Sequence, residues 1–269
     1  MARDRAAWIG CLAGLILVFS GCGNQDAGLR LTVSPQQLAQ LGDKILQNEC
    51  AGRVECLVHW NQGEAFPSLG IGHFIWYPAG VDGGFVESFP KLIDFMRGQS
   101  VVLPDWLASL RPFDAPWPDR DTFLSSLDSA QVRSLRDFLR RTQSLQAAFL
   151  FERAQDSLAR VVAAAPENRR SSVRQRILAL SATPNGVYAI MDYVNFKGEG
   201  LAPRETYDGK GWGLLQVLLA MQDADGESAV DRFQAAAAEV LTRRARLAPN
   251  PIERERWLPG WLARLQTYD

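Results

Sequence analysis

Apolar positions recur at helical spacing through most of the chain, and this pattern predicts a mainly α-helical protein. Before residue 50, Leu38, Leu41 and Ile45 lie close to helical spacing, and Ser34-Pro35 supplies a start signal for that helix. The same kind of spacing predicts further helices over 85–96, 123–165, 171–181, 186–195 and 228–245. Between them, the prolines of 101–121 predict an irregular connection.

The β signal is confined to a short stretch that follows the first helix. Asn61-Gln62-Gly63 predicts a hairpin turn, and the segment 68–77 is rich in aromatic and β-branched residues, so it predicts a strand. This order places Glu49 at the end of the helix and Glu64 just after the turn. We therefore expect an α+β, mainly α fold with a small β-hairpin beside a cleft.

Two carboxylates on either side of a cleft suit the hydrolysis of glycosides. That reaction needs a protonated carboxyl group for the leaving oxygen and usually an ionised carboxylate that activates water or stabilises positive charge. Burial beside apolar residues raises the pKa of a glutamate, which suits Glu49 to the first role. Glu64, nearer to solvent, suits the second role, and Glu55 is a competing acid in the same stretch.

The motifs in this stretch resemble the catalytic region of the tailed-phage lysozymes. These enzymes end their first helix with Glu, and an acidic hairpin and a Thr-x-Gly-x-Gly-His segment follow; the wider lysozyme-like superfamily, including the chitosanases, varies this layout. The matching residues here are 45–49 and Ser68-Leu69-Gly70-Ile71-Gly72-His73. The resemblance implies that Glu49 is the general acid, that Ser68 holds the attacking water, and that His73 is a buried structural histidine beside the substrate.

The match departs from the phage pattern in three respects. Ser68 replaces threonine but keeps the hydroxyl group, and the interval between Glu49 and Ser68 is longer than in the phage enzymes. The phage hairpin aspartate falls near Gln62, so Glu64 is assigned as the second carboxylate, which a chitosanase-like spacing suits better. Without a working second carboxylate, a mechanism with Glu49 alone, like that of the lytic transglycosylases, is the alternative.

A second region, late in the chain, faintly resembles the Gly-Leu-Met-Gln element that follows the catalytic Glu of lytic transglycosylases. Here Glu199 lies in a predicted loop, and Gly211-Trp212-Gly213-Leu214-Leu215-Gln216 follows. Glu199 is then an alternative acid, or one of the residues that line the cleft. Tryptophans can stack on sugar rings, although they are more often core residues. The predicted substrate-binding residues are Trp60, His73, Trp76, Glu199, Trp212 and Gln216.

The N-terminus resembles the leader of a bacterial lipoprotein. Residues 1–21 combine two arginines with a short apolar run, and Phe19-Ser20-Gly21-Cys22 resembles a lipobox. The resemblance implies lipid attachment at Cys22, a tether over 22–35 and a lysozyme-like domain over 36–269. Gly23 favours sorting to the outer membrane, and an ordinary signal peptide with an incidental cysteine is the alternative. In an oxidising compartment, Cys50 and Cys56 could form a disulfide or remain two buried thiols.

Composition narrows the choice of partners. The 269 residues carry a net charge of −1, so no overall basic field indicates nucleic acid, and the two histidines suggest no metal site. No cofactor motif is present, and peptidoglycan or a related glycan is the expected partner. We expect a glycoside hydrolase that cleaves a β-linked amino-sugar polymer; the alternative is a non-catalytic envelope lipoprotein that binds glycan or a partner protein.

Overall fold

The computed structural model describes residues 29–50, 52–81, 83–203, 205–223 and 226–268. The predicted leader, Cys22 and the first part of the predicted tether lie outside the described residues, and so does the side chain of Glu49. The described helices are α1 (Pro35–Cys50), α2 (Phe89–Gly98), α3 (Asp105–Ser109), α4 (Arg120–Ser125), α5 (Ala130–Arg141), α6 (Gln143–Ala164), α7 (Arg170–Ser181), α8 (Pro184–Lys197), α9 (Leu214–Ala220), α10 (Ala229–Leu247) and α11 (Leu258–Leu265). A π-helical segment, Glu253–Trp257, precedes α11.

The described chain is mainly helical with a small antiparallel sheet, which confirms the predicted α+β, mainly α class. Helix α8 lies at the centre, since most of its residues are buried, and α1, α6, α7, α9 and α10 pack around it. This confirms the prediction of a buried helix over 186–195. None of the helices in the described part of the chain has the length and apolar character that crossing a bilayer would require.

Serine caps begin three of the predicted helices. The hydroxyl oxygens of Ser34, Ser129 and Ser228 each accept a hydrogen bond from the backbone N–H three residues further on, at 3.1–3.2 Å. Helix α2 begins at Phe89, later than the predicted start at 85. The reason is that Ser88 pairs with strand residue Ile75, through Ser88 N–H to Ile75 O (3.1 Å) and Ile75 N–H to Ser88 Oγ (3.0 Å).

The sheet consists of β1 (Val58–His59), β2 (Ser68–Leu69) and β3 (Phe74–Ile75), paired in that order. The predicted turn at 61–63 lies between β1 and β2, where Glu64 N–H donates to Asn61 O (3.3 Å). The prediction of one strand over 68–77 is wrong. Gly70 (φ 67°) and His73 (φ 47°) have left-handed backbone conformations, so the chain turns between β2 and β3.

The turn between β2 and β3 is attached to the helical body by a buried glutamine. Gln146 of α6 is fully buried, and its Oε1 accepts a hydrogen bond from Ile71 N–H (2.8 Å). Its Nε2 donates to Leu139 O (2.6 Å). The apolar residues around the turn, including Ile71 and Phe74, are also buried, so the sheet has a fixed position on α6.

Part of the predicted tether belongs to the packed structure. Leu29 and Leu31 are buried, and Gln155 of α6 binds their backbone through Leu31 N–H to Oε1 (2.6 Å) and Nε2 to Leu29 O (2.7 Å). The domain therefore extends back at least to Leu29, and the predicted boundary at residue 36 is too late. The alternation of leucine with polar residues at 29–31 suits an extended segment with one apolar side.

The structure also contains a second hairpin and a disulfide bond at Cys56. A second hairpin, β4 (Thr206–Tyr207) and β5 (Lys210–Gly211), has its turn at Asp208-Gly209, where both φ angles are positive. Asp-Gly is a strong signal for such a turn. Cys56 is disulfide-bonded, and its partner lies outside the described side chains.

Candidate functional site

A cleft of about 930 Å³ opens at the C-terminal end of α8. Its walls come from the β2–β3 turn, the segment before α2, the second half of α6 and the loop after α8. The polar side chains that line it are His73, Ser88, Arg153, Asp156, Ser157, Arg160, Asn195, Lys197, Glu199, Glu205 and Arg244. Cavities of this size commonly bind small molecules or part of a polymer.

The loop that closes this end of α8 is built on close backbone contact. Gly198 ends the helix with φ 77°, and the first N–H groups of α9 donate to the loop, from Leu214 to Gly198 O (3.0 Å) and from Leu215 to Glu199 O (3.0 Å). A Cβ atom on Gly213 would overlap the backbone of Gly200. Glycine is therefore required at position 213 for the loop to lie against α9.

Gln216 fixes this loop from outside the cleft. Its Oε1 accepts a hydrogen bond from Gly213 N–H (3.0 Å), and its Nε2 donates to Gly200 O (3.0 Å). Gln216 was predicted to bind substrate, but its amide is used by these backbone groups and it does not line the cleft. The Gly-Leu-Leu-Gln sequence has a structural explanation here, as a helix start joined to the preceding loop.

Glu199 is held as an anion in the cleft wall. Its carboxylate accepts hydrogen bonds from Ser157 Oγ (2.8 Å) and Arg160 Nε (3.2 Å). Burial acts to raise the pKa of Glu199, but the bonds from Arg160 and Ser157 outweigh it, so the pKa lies below its usual value. A general acid must be protonated before it reacts, so this environment suits Glu199 to ligand binding and not to the alternative role of acid.

Lys197 is buried in the same wall with no hydrogen-bond acceptor among the described residues. Its side chain is 9% exposed, and its Nζ lies 3.5 Å from the ring centroid of Trp261 and 3.9 Å from that of Phe196. Burial, and after it the charge of Arg244, lower the pKa of Lys197 to about 6. The two aromatic faces favour the ammonium form and act in the opposite direction.

Arg244 and Trp212 form the neighbouring part of the wall. Arg244 is fixed by Glu253, with Nε to Oε2 at 2.8 Å, and its guanidinium carbon lies 4.1 Å from the ring centroid of Trp212. Tyr207 contacts the same ring, with centroids 4.8 Å apart, and donates a hydrogen bond to Glu253 (2.7 Å). Trp212 lines the cleft, as predicted for a binding residue, but it is only 8% exposed.

The other two tryptophans predicted to bind substrate are core residues. Trp60 is 2% exposed, and its Nε1 donates to Glu64 O (2.8 Å). Trp76 has no exposed surface, and its Nε1 donates to Phe113 O (3.1 Å). Both indoles are enclosed by other aromatic rings, so neither offers a face to a sugar.

The predicted catalytic residues of the sheet do not line this cleft. Ser68 is buried on β2, opposite His59 and Ile75, while Glu64 is half-buried on the β1–β2 connection and accepts a hydrogen bond from Asn61 Nδ2 (3.0 Å). His73 is half-buried and does line the cleft. The structure therefore brings together His73, Glu199 and Trp212, and it separates Glu64 and Ser68 from them.

The end of α1 lies at a distance from the cleft. Asn48 Nδ2 donates to the hydroxyl oxygens of Tyr188 (2.5 Å) and Thr267 (2.9 Å), so the last turn of α1 packs near the start of α8. Lys197 comes nine residues after Tyr188, which corresponds to about 13 Å along the helix axis. The last turn of α1 and the cleft therefore contact opposite ends of α8.

The cleft also contains residues that the sequence interpretation missed. Arg153, Ser157 and Arg160 lie on one face of α6 at intervals of four and three residues and meet the loop after α8. Polar residues at this spacing on one face of a long helix are a detectable signal. Among the described side chains, no group of three His, Cys, Asp or Glu residues is placed to hold a metal ion.

Comparison of the chain with family models, curated proteins and solved structures found no match in any of the three. We therefore infer function from the residues of the sheet, of α1 and of the cleft.

Proposed function

We propose that this chain is a lysozyme-like glycoside hydrolase of the cell envelope, which cleaves a β-linked amino-sugar polymer such as peptidoglycan. Glu49 is its general acid, and a lipid on Cys22 anchors it to the outer membrane. The observation that supports this proposal is the sequence of elements: α1 ends at Cys50, a small antiparallel sheet follows, and the Gly70–His73 turn packs on the helical body. This order is the one that the resemblance to the lysozyme-like superfamily implies.

In the proposed reaction, Glu49 protonates the glycosidic oxygen while Glu64 and Ser68 position a water molecule on the opposite face of the sugar. Asn61 Nδ2 donates a hydrogen bond to the Glu64 carboxylate (3.0 Å), which holds this side chain on the β1–β2 connection. A pair of carboxyl groups about 6.5–9.5 Å apart would give inversion of configuration. Cleavage by Glu49 alone would instead leave an anhydro-sugar product.

A second candidate function is glycan binding without cleavage. The specific observation in its favour is the separation between the cleft and the end of α1, which contact opposite parts of α8. The cleft contains an ionised carboxylate and buried cations, which are groups that bind a polar ligand. In this case Glu49 has no chemical role, and the protein binds the glycan at the envelope.

Digestion of purified peptidoglycan by the wild type and by Glu49→Gln tests the first function. Loss of a general acid lowers the rate by about 100-fold or more, so we expect the wild type to clear a zymogram and the variant to fail. Glu55→Gln is the matched control, since Glu55 is an exposed acid in the same stretch and should remain active. Mass spectrometry of the products separates hydrolysis, which adds water, from formation of an anhydro-sugar.

An active Glu49→Gln protein would contradict the assignment of the acid. A wild type that binds peptidoglycan in a pull-down assay but releases no product would favour the second candidate. Absence of both binding and cleavage would reject both functions for this polymer.

A further inference from the structure

The proposed reaction uses none of the polar side chains described in the cleft wall, and Lys197 is the buried amine among them. It ends α8 and lines the cleft, yet more than nine-tenths of the residue is buried, and its Nζ contacts aromatic rings and no acceptor. The Nζ atom itself is not sealed from solvent, so it can reach a ligand in the cleft. An amine in this environment, at the wall of an open cleft, is suited to donate a hydrogen bond to an acceptor atom of a ligand.

The charged groups around Lys197 are otherwise paired with one another. Arg244 of α10 is bound by Glu253 of the π-helical segment, and Arg264 of α11 is bound by Asp192 of α8. Glu199, beyond the end of α8, is bound by Arg160 of α6. Tyr207 of β4 donates its hydroxyl hydrogen to Glu253. Among these described groups, Lys197 is the cation without a carboxylate in direct contact; Arg153, elsewhere in the cleft wall, also has no described ion pair and lies over the Phe149 ring.

We propose that Lys197 is the receptor for a carboxylate group of the ligand in the cleft. The ligand is an acidic amino sugar within the glycan; this source of the carboxylate depends on the proposed function, whereas the binding site depends on Lys197 and its surroundings. The ligand carboxylate would lie against the Lys197 ammonium group, with Arg244 close to the same Trp261 ring.

The lining of the cleft favours a single negative charge over a phosphate dianion. Asp156, Glu199 and Glu205 lie in the walls with Arg153, Arg160, Lys197 and Arg244, so carboxylates nearly balance the cations. A ligand with one carboxylate gains the attraction of Lys197, whereas a second charge meets repulsion from the wall acids. Phe196, which also lines the cleft, adds apolar contact area for a neutral sugar body.

Binding of the carboxylate would be accompanied by uptake of a proton. In the free protein the lowered pKa keeps Lys197 mostly neutral at pH 7, and a bound anion favours its ammonium form. Affinity for the acidic ligand should therefore fall as the pH rises above about 6, by up to about tenfold per pH unit. Affinity for a neutral sugar lacks this dependence.

Calorimetric titration with N-acetylmuramic acid and N-acetylglucosamine tests the proposal, because these sugars differ only in the carboxylate-bearing ether. We expect the purified full chain to bind the acid at least about tenfold more tightly at pH 6, with a lead that shrinks toward pH 8. Titration in two buffers of different ionisation enthalpy measures the proton uptake. Muramyl dipeptide, in which the lactyl carboxylate is an amide, distinguishes a sugar-linked carboxylate from a peptide carboxylate.

Lys197→Met should lose the preference and the proton uptake while keeping its affinity for N-acetylglucosamine. Lys210→Met, which changes an exposed lysine of β5, is the matched control and should bind like the wild type. Equal affinities for the two sugars in the wild type, or an unchanged preference in Lys197→Met, would overturn the proposal. Glu49→Gln should bind the acid normally, so failure of catalysis and failure of this site give different results.

Discussion

The middle of α8 and its C-terminal end lie in one core, but the buried polar residue of each has a different environment. Within the helix, Asp192 is 3% exposed and accepts hydrogen bonds from Arg264 Nε (2.8 Å), Arg264 Nη2 (2.7 Å) and Tyr268 OH (2.8 Å). At its end, Lys197 is 9% exposed and has ring faces where Asp192 has donors. The buried Asp192 thus has its hydrogen-bonding needs met, whereas the buried Lys197 has no hydrogen-bond acceptor among the described residues.

This difference shows that the burial of a polar side chain does not by itself tell whether it serves folding or binding. The Asp192 network joins α8, α11 and Tyr268 after α11, so its hydrogen bonds fix the relative positions of three segments. Lys197 fixes nothing by hydrogen bonding, and it lies where the core opens into a cleft. We expect changes at Asp192 to affect folding and changes at Lys197 to affect binding.

The largest expected effect is the loss of stability in Asp192→Asn. The neutral amide leaves the Arg264 guanidinium, 14% exposed, without its counter-charge, and breaking a buried pair in this way costs about 3–5 kcal/mol. Urea denaturation followed by circular dichroism measures the change in the free energy of unfolding. Asp137→Asn is the control, since its bridges to Arg140 and Arg141 are exposed and screened by solvent, so their loss should change the stability little.

An equal and small effect of both substitutions would contradict the structural role of Asp192.

Lys197→Met should stabilise the protein, in contrast to Asp192→Asn, and increase the free energy of unfolding by about 1–3 kcal/mol at pH 6. Between its folded pKa of about 6 and its ordinary value of 10.5, the unfolded chain binds a proton that the folded chain does not. Wild-type stability therefore rises with pH across this window, and the advantage of the variant shrinks toward pH 10.5. Urea midpoints at pH 6, 8 and 10 measure this trend, and Lys210→Met should show none.

A gain that stays constant from pH 6 to pH 10 would show that Lys197 does not titrate in this window.

The smallest expected effect on stability is that of Glu199→Gln, which removes the charge paired with Arg160 in the cleft wall. Its partner Arg160 is 55% exposed, so solvent screens the pair and its loss should cost at most about 1 kcal/mol at pH 7. Since the pKa of Glu199 is lowered, its contribution is present above 4.5 and is lost as the pH falls through the folded value. Denaturation at pH 7 and at successively lower pH should show a difference between variant and wild type that is present at pH 7 and shrinks as the pH falls below 4.5.

Arg160→Met should have a similar effect, and the double variant should lose no more than either single variant. Additive losses would mean that the two side chains act independently.

Local patterns predicted most of the secondary structure. Helical spacing located α1 and α5 to α8, and Ser34-Pro35 located the start of α1, because a cap involves residues only three positions apart. The turn at Asn61-Gln62-Gly63 is equally local. The strand predicted over 68–77 failed because propensity does not show where Gly70 and His73 turn the chain toward Gln146.

The candidate site was less accessible to the same reasoning. Tryptophans at 60 and 76 and Gln216 have the composition of a binding site, but only the fold shows that the indoles are enclosed by aromatic neighbours and that the Gln216 amide binds backbone groups. Ser157 and Arg160 are far from Glu199 in the chain, and the pairing of α6 with the loop after α8 brings them together.

The sequence by itself determined the mainly helical class, the start of α1 and the short β region, because hydrophobic period, caps and turns depend on neighbouring residues. The tertiary structure alone decided which polar groups are buried together, that Asp192 is satisfied while Lys197 is not, and that the cleft opens at the end of α8. The physical reason is that desolvation and charge pairing depend on distance in space, and residues 42 to 76 positions apart in sequence meet only in the folded chain.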